Sequence, residues 1–160
     1  MDIPDGSARE LIGPRAEYYL ARWARIGGPR GPALGFNWPA FFVTPFWMLY
    51  RRMYVPFWIT GGAVLVLAIV ETLIASALGL ARVPSDVDRV LNIATAATCG
   101  VFGSYWYYLD VRRKYRKLVA AGDTSSERFR ALGGVDWVWP GVALLIVVLS
   151  VAITLLLPTH

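Results

Sequence analysis

The sequence predicts an all-α integral membrane protein: three transmembrane helices preceded by an amphipathic interfacial helix and a proline-broken aromatic interfacial segment. Three observations carry that prediction. Three long stretches contain a single charge among them, and Lys and Arg alternate along the chain in step with those stretches. The hydrophobic fraction, 56%, also exceeds the roughly 45–50% usual in soluble domains.

A spanning helix needs about 20 mostly apolar residues to cross a hydrocarbon core about 30 Å thick. The stretches at about 57–81, 90–109 and 137–157 meet that requirement. The first holds Glu71 as its only charge, and the other two hold none. Between the first pair lies Arg82–Arg89, a short turn in which Ser85 or Asp86 is placed to cap the second helix. A tight antiparallel hairpin is therefore expected. The next connection, Asp110–Asp136, is longer and strongly charged, with Asp136 placed as the N-cap of the third span. The chain divides into a cytoplasmic or interfacial segment, 1–55, and a three-helix transmembrane domain, 56–160.

Orientation follows from the basic residues flanking the spans, which favour the cytoplasmic side. Arg9, Arg15, Arg22, Arg25, Arg30, Arg51 and Arg52 precede the first span, and only Arg82 and Arg89 follow it. Arg112, Arg113, Lys114, Arg116, Lys117, Arg128 and Arg130 fill the second connection, and none follows the third span. The pattern puts the N-terminus in the cytoplasm and the C-terminus in the periplasm.

The N-terminal segment does not span. Ser7-Ala8-Arg9-Glu10 has capping-box spacing, and Pro14 suits a first helical turn. Ala16, Tyr19, Leu20, Trp23 and Ile26 then recur at helical spacing, with Arg15, Arg22 and Arg25 on another face. This predicts a short amphipathic helix on the anionic inner leaflet, packing on a cytoplasmic partner being the alternative. Gly27–Pro32 breaks the chain. Phe36–Tyr50 is uncharged but interrupted by Pro39 and Pro45, so it is read as a wedge of two short helices capped by Asn37 and Thr44.

Small residues recur at Ala68, Thr72, Ala75 and Gly79 on the first span, and at Ala96, Gly100 and Ser104 on the second. Such ridges permit close helix approach in lipid, so these two helices are expected to pack with Glu71 at their seam. Placing a charge at that depth costs roughly 2.5–3.5 kcal/mol, so Glu71 is expected to face protein, with Thr95 or Thr98 as partners. It serves either to join helices or to relay a proton or cation.

No metal or cofactor is expected. Cys99 is the sole cysteine and His160, the last residue, the sole histidine. The sequence offers no P-loop, dinucleotide fingerprint or nucleophile–histidine pairing, so an enzyme is not expected. The net charge of +5 reflects topology rather than nucleic-acid binding. In the predicted topology every aromatic ring falls toward the cytoplasm, whereas membrane proteins usually carry aromatic belts at both interfaces. The rings and their basic neighbours form a candidate surface for partners or lipid: Trp38, Phe41, Phe42, Trp47, Tyr50, Arg51, Arg52, Trp58, Trp106, Arg112, Arg113, Lys114, Trp137 and Trp139.

Phe36-Asn37-Trp38-Pro39-Ala40-Phe41-Phe42 followed by Pro45-Phe46-Trp47-Met48-Leu49-Tyr50-Arg51-Arg52-Met53 resembles the signature of a family of small bacterial membrane proteins, domain of unknown function 2628. Ser104-Tyr105-Trp106-Tyr107-Tyr108-Leu109-Asp110 and the basic run after it are similar to a second part of that pattern, with Ser104 where Asn is usual and Asp110 where His is usual. The resemblance covers about Phe36 to Lys117 and implies a bacterial inner-membrane location and no particular activity. The expected role is a non-enzymatic accessory, assembly or scaffold subunit of a larger inner-membrane complex, respiratory or photosynthetic (for example a reaction-centre or light-harvesting complex). The alternative is a small proton- or cation-linked transporter or channel using Glu71.

Overall fold

The computed structural model describes residues 3–24 and 35–156, and among these prolines, glycines and three side-chain caps set off eight helices, with no strand. The break at Gly27–Pro32, Ile26, Arg25, Arg30, Leu157 and the terminal Pro158-Thr159-His160 lie outside the described residues.

Helix α1 (Asp5–Ile12) stops at Gly13, whose φ of 65° lies in the left-handed region that glycine tolerates. Helix α2 (Ala16–Trp23) starts after Arg15, itself at φ 68°. The Ser7–Glu10 box does not open a helix: Pro4 is the N-cap, and Ser7 lies inside α1. In α3 (Trp38–Phe42) the Asn37 side chain accepts from Ala40 N at 3.2 Å, the cap predicted from sequence. Thr44 does not cap α4 (Thr44–Tyr50). Its hydroxyl donates back to the Ala40 carbonyl, because Thr44 is already the first helical residue.

Helix α5 (Tyr54–Ala77) and helix α8 (Val138–Leu156), with mean hydropathies of 2.1 and 2.5, are long and apolar enough to cross a bilayer. Asp136 Oδ1 accepts from Val138 N at 2.8 Å, as predicted for the start of α8. The stretch 90–109 corrects the expectation of three such helices. It is the middle of one 36-residue helix, α6 (Ser85–Ala120), about 54 Å long at 1.5 Å per residue. Asn92, Thr95, Thr98, Gly100, Gly103 and Ser104 dilute its apolarity, and Cys99, Gly100, Gly103, Ser104 and Tyr107 are covered by protein. Among the described residues two helices, not three, have the composition to cross alone. Pro84, with no side-chain bond, is the N-cap of α6, so neither Ser85 nor Asp86 caps it.

The C-terminal half of α6 is the axis of a closed core. Leu11 and Ile12 of α1, Tyr19 and Trp23 of α2, Ala40 of α3, Trp47 and Met48 of α4, and Phe129 of α7 (Ser126–Leu132) join Tyr107, Val111 and Leu118. Helix α2 turns its apolar face at least in part to its own chain. Its apolar face is periodic because it packs on α6, with the Tyr19 and Tyr107 rings 4.9 Å apart and Trp23 Nε1 donating to the Ser104 carbonyl at 3.1 Å.

The small residues of α6 also serve a different neighbour from the one expected. A Cβ on Gly103 would lie 2.7 Å from Ala40 Cβ, and one on Gly100 would lie 2.9 Å from the Phe36 ring. Asn37 N donates to the Gly100 carbonyl at 2.8 Å. The ridge thus receives α3, and α5 stands further off. The hairpin is antiparallel, as expected, since Val55 and Pro56 face Leu109 and Arg113 while Leu67 faces Leu91. It is not tight, because apolar clefts separate its arms. Helix α8 starts beside the start of α5, with Trp139, Val142 and Ile146 across from Tyr54, Phe57 and Trp58. All three rods therefore leave the core from one side.

Candidate functional site

The polar chemistry concentrates where α4 hands over to α5, against the middle of α6. Met48 and Met53 anchor that corner in the core, which turns Arg51 and Arg52 in opposite directions. Arg52 adopts φ 54°, and the reversal lets its guanidinium donate to the Ala131 and Gly133 carbonyls at 2.8 and 3.2 Å. Its Nε lies 3.6 Å from Asp136 Oδ2. Asp136 N in turn donates to the Tyr50 carbonyl at 2.8 Å, so this corner sets where α8 begins.

Arg51 points inward and is 4% exposed. It donates to the carbonyls of Ile12 and Pro14, at 3.5 and 3.2 Å, and sits 4.7, 5.5 and 5.4 Å from the ring centres of Tyr19, Tyr50 and Tyr107. Among the described residues no carboxylate pairs with it. Ring faces and carbonyl dipoles take that place.

Asp110, its side chain fully buried, bonds Arg113 one turn along α6 and holds Lys114 Nζ at 2.8 Å. Lys114 also donates to the Arg52 carbonyl at 3.0 Å, which ties the α4 corner to α6. Burial lowers the Lys114 amine from its ordinary value, and the neighbouring Asp110 carboxylate opposes that shift. Arg113, by contrast, keeps 47% of its side chain exposed.

From Arg113 an apolar cleft runs along the α5–α6 pair. Its upper part holds about 320 Å³ between Val55, Ile59, Trp106 and Leu109, with Asp110 and Arg113 at the rim. A second volume of about 380 Å³, which shares Ile59, Thr60 and Trp106 in its lining, reaches Leu67 and Leu91. Thr95 and Thr98 line this lower part. Thr98 spends its hydroxyl on the Ala94 carbonyl at 2.8 Å, and no hydrogen bond joins Glu71 to Thr95 or Thr98 among the described residues. Glu71, half-buried, sits further along α5 than the cleft lining.

The expected aromatic surface divides in two. Trp47 faces the core at 5% exposure and, with Arg51, is closed to any partner, because the rings of α2, α4 and α6 pack on one another there. Trp38, Phe42, Trp58, Trp137 and Trp139 stand outward. Trp38 and Phe42 stack with ring centres 5.8 Å apart, and Trp137 leans on Tyr50 at 4.7 Å. Phe41 and Trp106 are half-buried, and Arg112 lies part-buried beside Arg113.

Sequence reasoning missed Tyr19 and Tyr107 as a cage for Arg51, and Asp110 as a buried ion-pair centre. For Asp110 a signal existed: Arg113 and Lys114 follow at the i+3 and i+4 positions that share a helix face. The cage left no such local trace, since its rings come from three separate helices.

These features define an all-helical protein with two helices fit to cross a membrane, built on a closed aromatic and basic core. The family described as "Protein of unknown function (DUF2628)" matches residues 20–113, more than half the chain, and the chain belongs to that family. No curated protein and no solved structure matches the chain.

Proposed function

We propose that this is a three-span protein of the bacterial cytoplasmic membrane, N-terminus cytoplasmic and C-terminus periplasmic. On this reading it is a non-enzymatic accessory, assembly or scaffold subunit of a larger membrane complex, respiratory and photosynthetic complexes being the natural candidates. The observation that carries the reading is the contrast between a closed core and three rods that do not close on each other. Helices α5 and α8 keep nearly all their large aliphatic side chains exposed, and the cleft between their first halves holds about 540 Å³. A continuous apolar surface of that extent calls for lipid or neighbouring helices.

The third crossing is argued from connectivity. Helices α5 and α8 begin at the same corner, beside Leu49 and Tyr50, and point the same way. If both cross, the chain between them must return, and the uncharged stretch 90–109 of α6 is the part able to do so. Its polar face is then covered by α3 and α2, which relieves the cost its composition alone would carry. The basic residues cluster on the core side, which fits the cytoplasm.

The deciding experiment is gentle solubilisation of native membranes followed by native electrophoresis and mass spectrometry of the copurifying chains. Comigration with a large heteromeric assembly is the expected result. A pure homo-oligomer whose ion flux in liposomes disappears with Glu71→Gln would replace this reading with transport.

A further inference from the structure

The cleft between α5 and α6 is apolar along its length and basic at one end, and that polarity matches one class of molecule. We infer that it is a seat for a single anionic phospholipid, whose phosphate meets Arg113 and whose acyl chain lies along α5. The inference rests on the membrane reading above but not on any particular partner complex.

Geometry sets the first constraint. The lining runs from Val55 to Leu67 on α5, about 18 Å of helix at 1.5 Å per residue, against about 15 Å for one leaflet of a 30 Å hydrocarbon core. The two volumes adjoin, sharing Ile59, Thr60 and Trp106 in their linings. In the span between them no charged side chain lines the walls; the charges, Asp110 and Arg113, stand only at the core end. An apolar lining about one leaflet long, with charge at one end only, suits a lipid rather than a soluble ligand.

Charge sets the second. Asp110 is already held by Lys114 at 2.8 Å, so its pairing does not depend on Arg113. Arg113 therefore adds a surplus positive charge at the rim, and its 47% exposure leaves donors able to turn toward a phosphate. Arg52 and Lys114 stand behind it, and Asp136 is the one other carboxylate bonded to this corner among the described residues. The local balance is positive, which selects an anionic headgroup over a zwitterionic one. An apolar helix of a partner would fill the same cleft without using Arg113, and this is what separates the two occupants.

The test reconstitutes the full chain in bilayers of phosphatidylcholine with a minority of phosphatidylglycerol, extracts it in mild detergent and counts retained lipids by native mass spectrometry. One phosphatidylglycerol per chain is expected, enriched over its share of the bilayer. Arg113→Gln is expected to lower that enrichment about fivefold, the loss of one basic residue at a membrane surface. Ala63→Trp, which fills the cleft with a ring and leaves the rim intact, is expected to abolish retention of either lipid. Arg128→Gln, at the exposed ion pair with Asp123, is expected to change nothing. Equal retention of both lipids, or phosphatidylglycerol retention indifferent to Arg113→Gln and Ala63→Trp, overturns the site. Failure of the chain to enter bilayers at all would instead defeat the membrane reading, so the two failures are distinct.

Discussion

Arg51 shows how a positive charge is held inside this core without a carboxylate. A buried charge is tolerated only when hydrogen bonds and polarisable groups replace water. Here the carbonyls of Ile12 and Pro14 and three tyrosine rings do so. Truncation by Arg51→Ala removes the donor, empties the cage and leaves the carbonyls bare, and is expected to cost about 1–3 kcal/mol. Arg51→Met fills the same space without a charge to desolvate and is expected to cost less than half as much. Arg51→Lys, lacking the planar fork, should fall nearer to alanine than to methionine. Thermal unfolding in detergent ranks the three, and a methionine variant less stable than the alanine variant would show that the charge itself is stabilising. At this scale sequence predicted the caps that act within two or three residues, Asn37 and Asp136. The cap predicted at Thr44 does not form, because its hydroxyl donates to the Ala40 carbonyl instead. Nor did sequence predict Arg51, whose partners lie 32 and 56 residues away in the chain at Tyr19 and Tyr107.

Lys114 makes a second residue-level case, read through pH. Burial lowers its amine below 10.5, so the folded chain gives up that proton before the unfolded chain does. Between the lowered value and 10.5 the unfolded state binds more protons, and stability attributable to Lys114 therefore rises with pH in that window. Comparison of melting temperature against pH for the native chain and Lys114→Met isolates the effect. The native chain is expected to gain on the variant as pH approaches 10.5. A falling difference would mean that the Asp110 pair outweighs burial.

Among the elements, α6 departs most from its sequence reading. The uncharged run ends at Leu109, and the sequence predicts a charged connection from Asp110. The helix instead continues to Ala120, because Asp110 is neutralised by Arg113 and Lys114 on its own face. The end of an apolar run marks where lipid contact stops, which need not be where the helix stops. The small-residue ridge was legible and its partner was not, since spacing alone cannot say which neighbour arrives. Substitution distinguishes them. Gly103→Val meets Ala40 at the closest α3–α6 approach and is expected to destabilise by about 1–3 kcal/mol. Gly61→Ala on α5, with nothing within 4 Å, is expected to gain about 0.5–1 kcal/mol from helix propensity. Were Gly61→Ala the damaging change, α5 would be packed against a neighbour through that face. Melting curves of the purified chain in one detergent measure both.

For the molecule as a whole, the decisive question is whether α6 returns across the bilayer, and the fold states it in a form that can be measured. The turn at 78–84 and the connection at 121–125 sit at opposite ends of α6, about 54 Å apart by its 36 residues. That distance exceeds a hydrocarbon core of about 30 Å, so an α6 that runs along the bilayer normal puts at least one end outside it. If α5 and α8 cross from a common corner, the two ends must also face opposite compartments. With Cys99 replaced by serine, Ala81→Cys and Ala121→Cys each place one thiol at an exposed end. A membrane-impermeant maleimide added to intact spheroplasts is expected to label Ala81→Cys and to spare Ala121→Cys until the cells are opened. Labelling of Ala121→Cys alone would invert the protein and set the closed core, with its outward Trp38, Phe42 and Trp137, in the periplasm. Equal labelling of both before lysis would mean that α6 does not cross, which removes the third span.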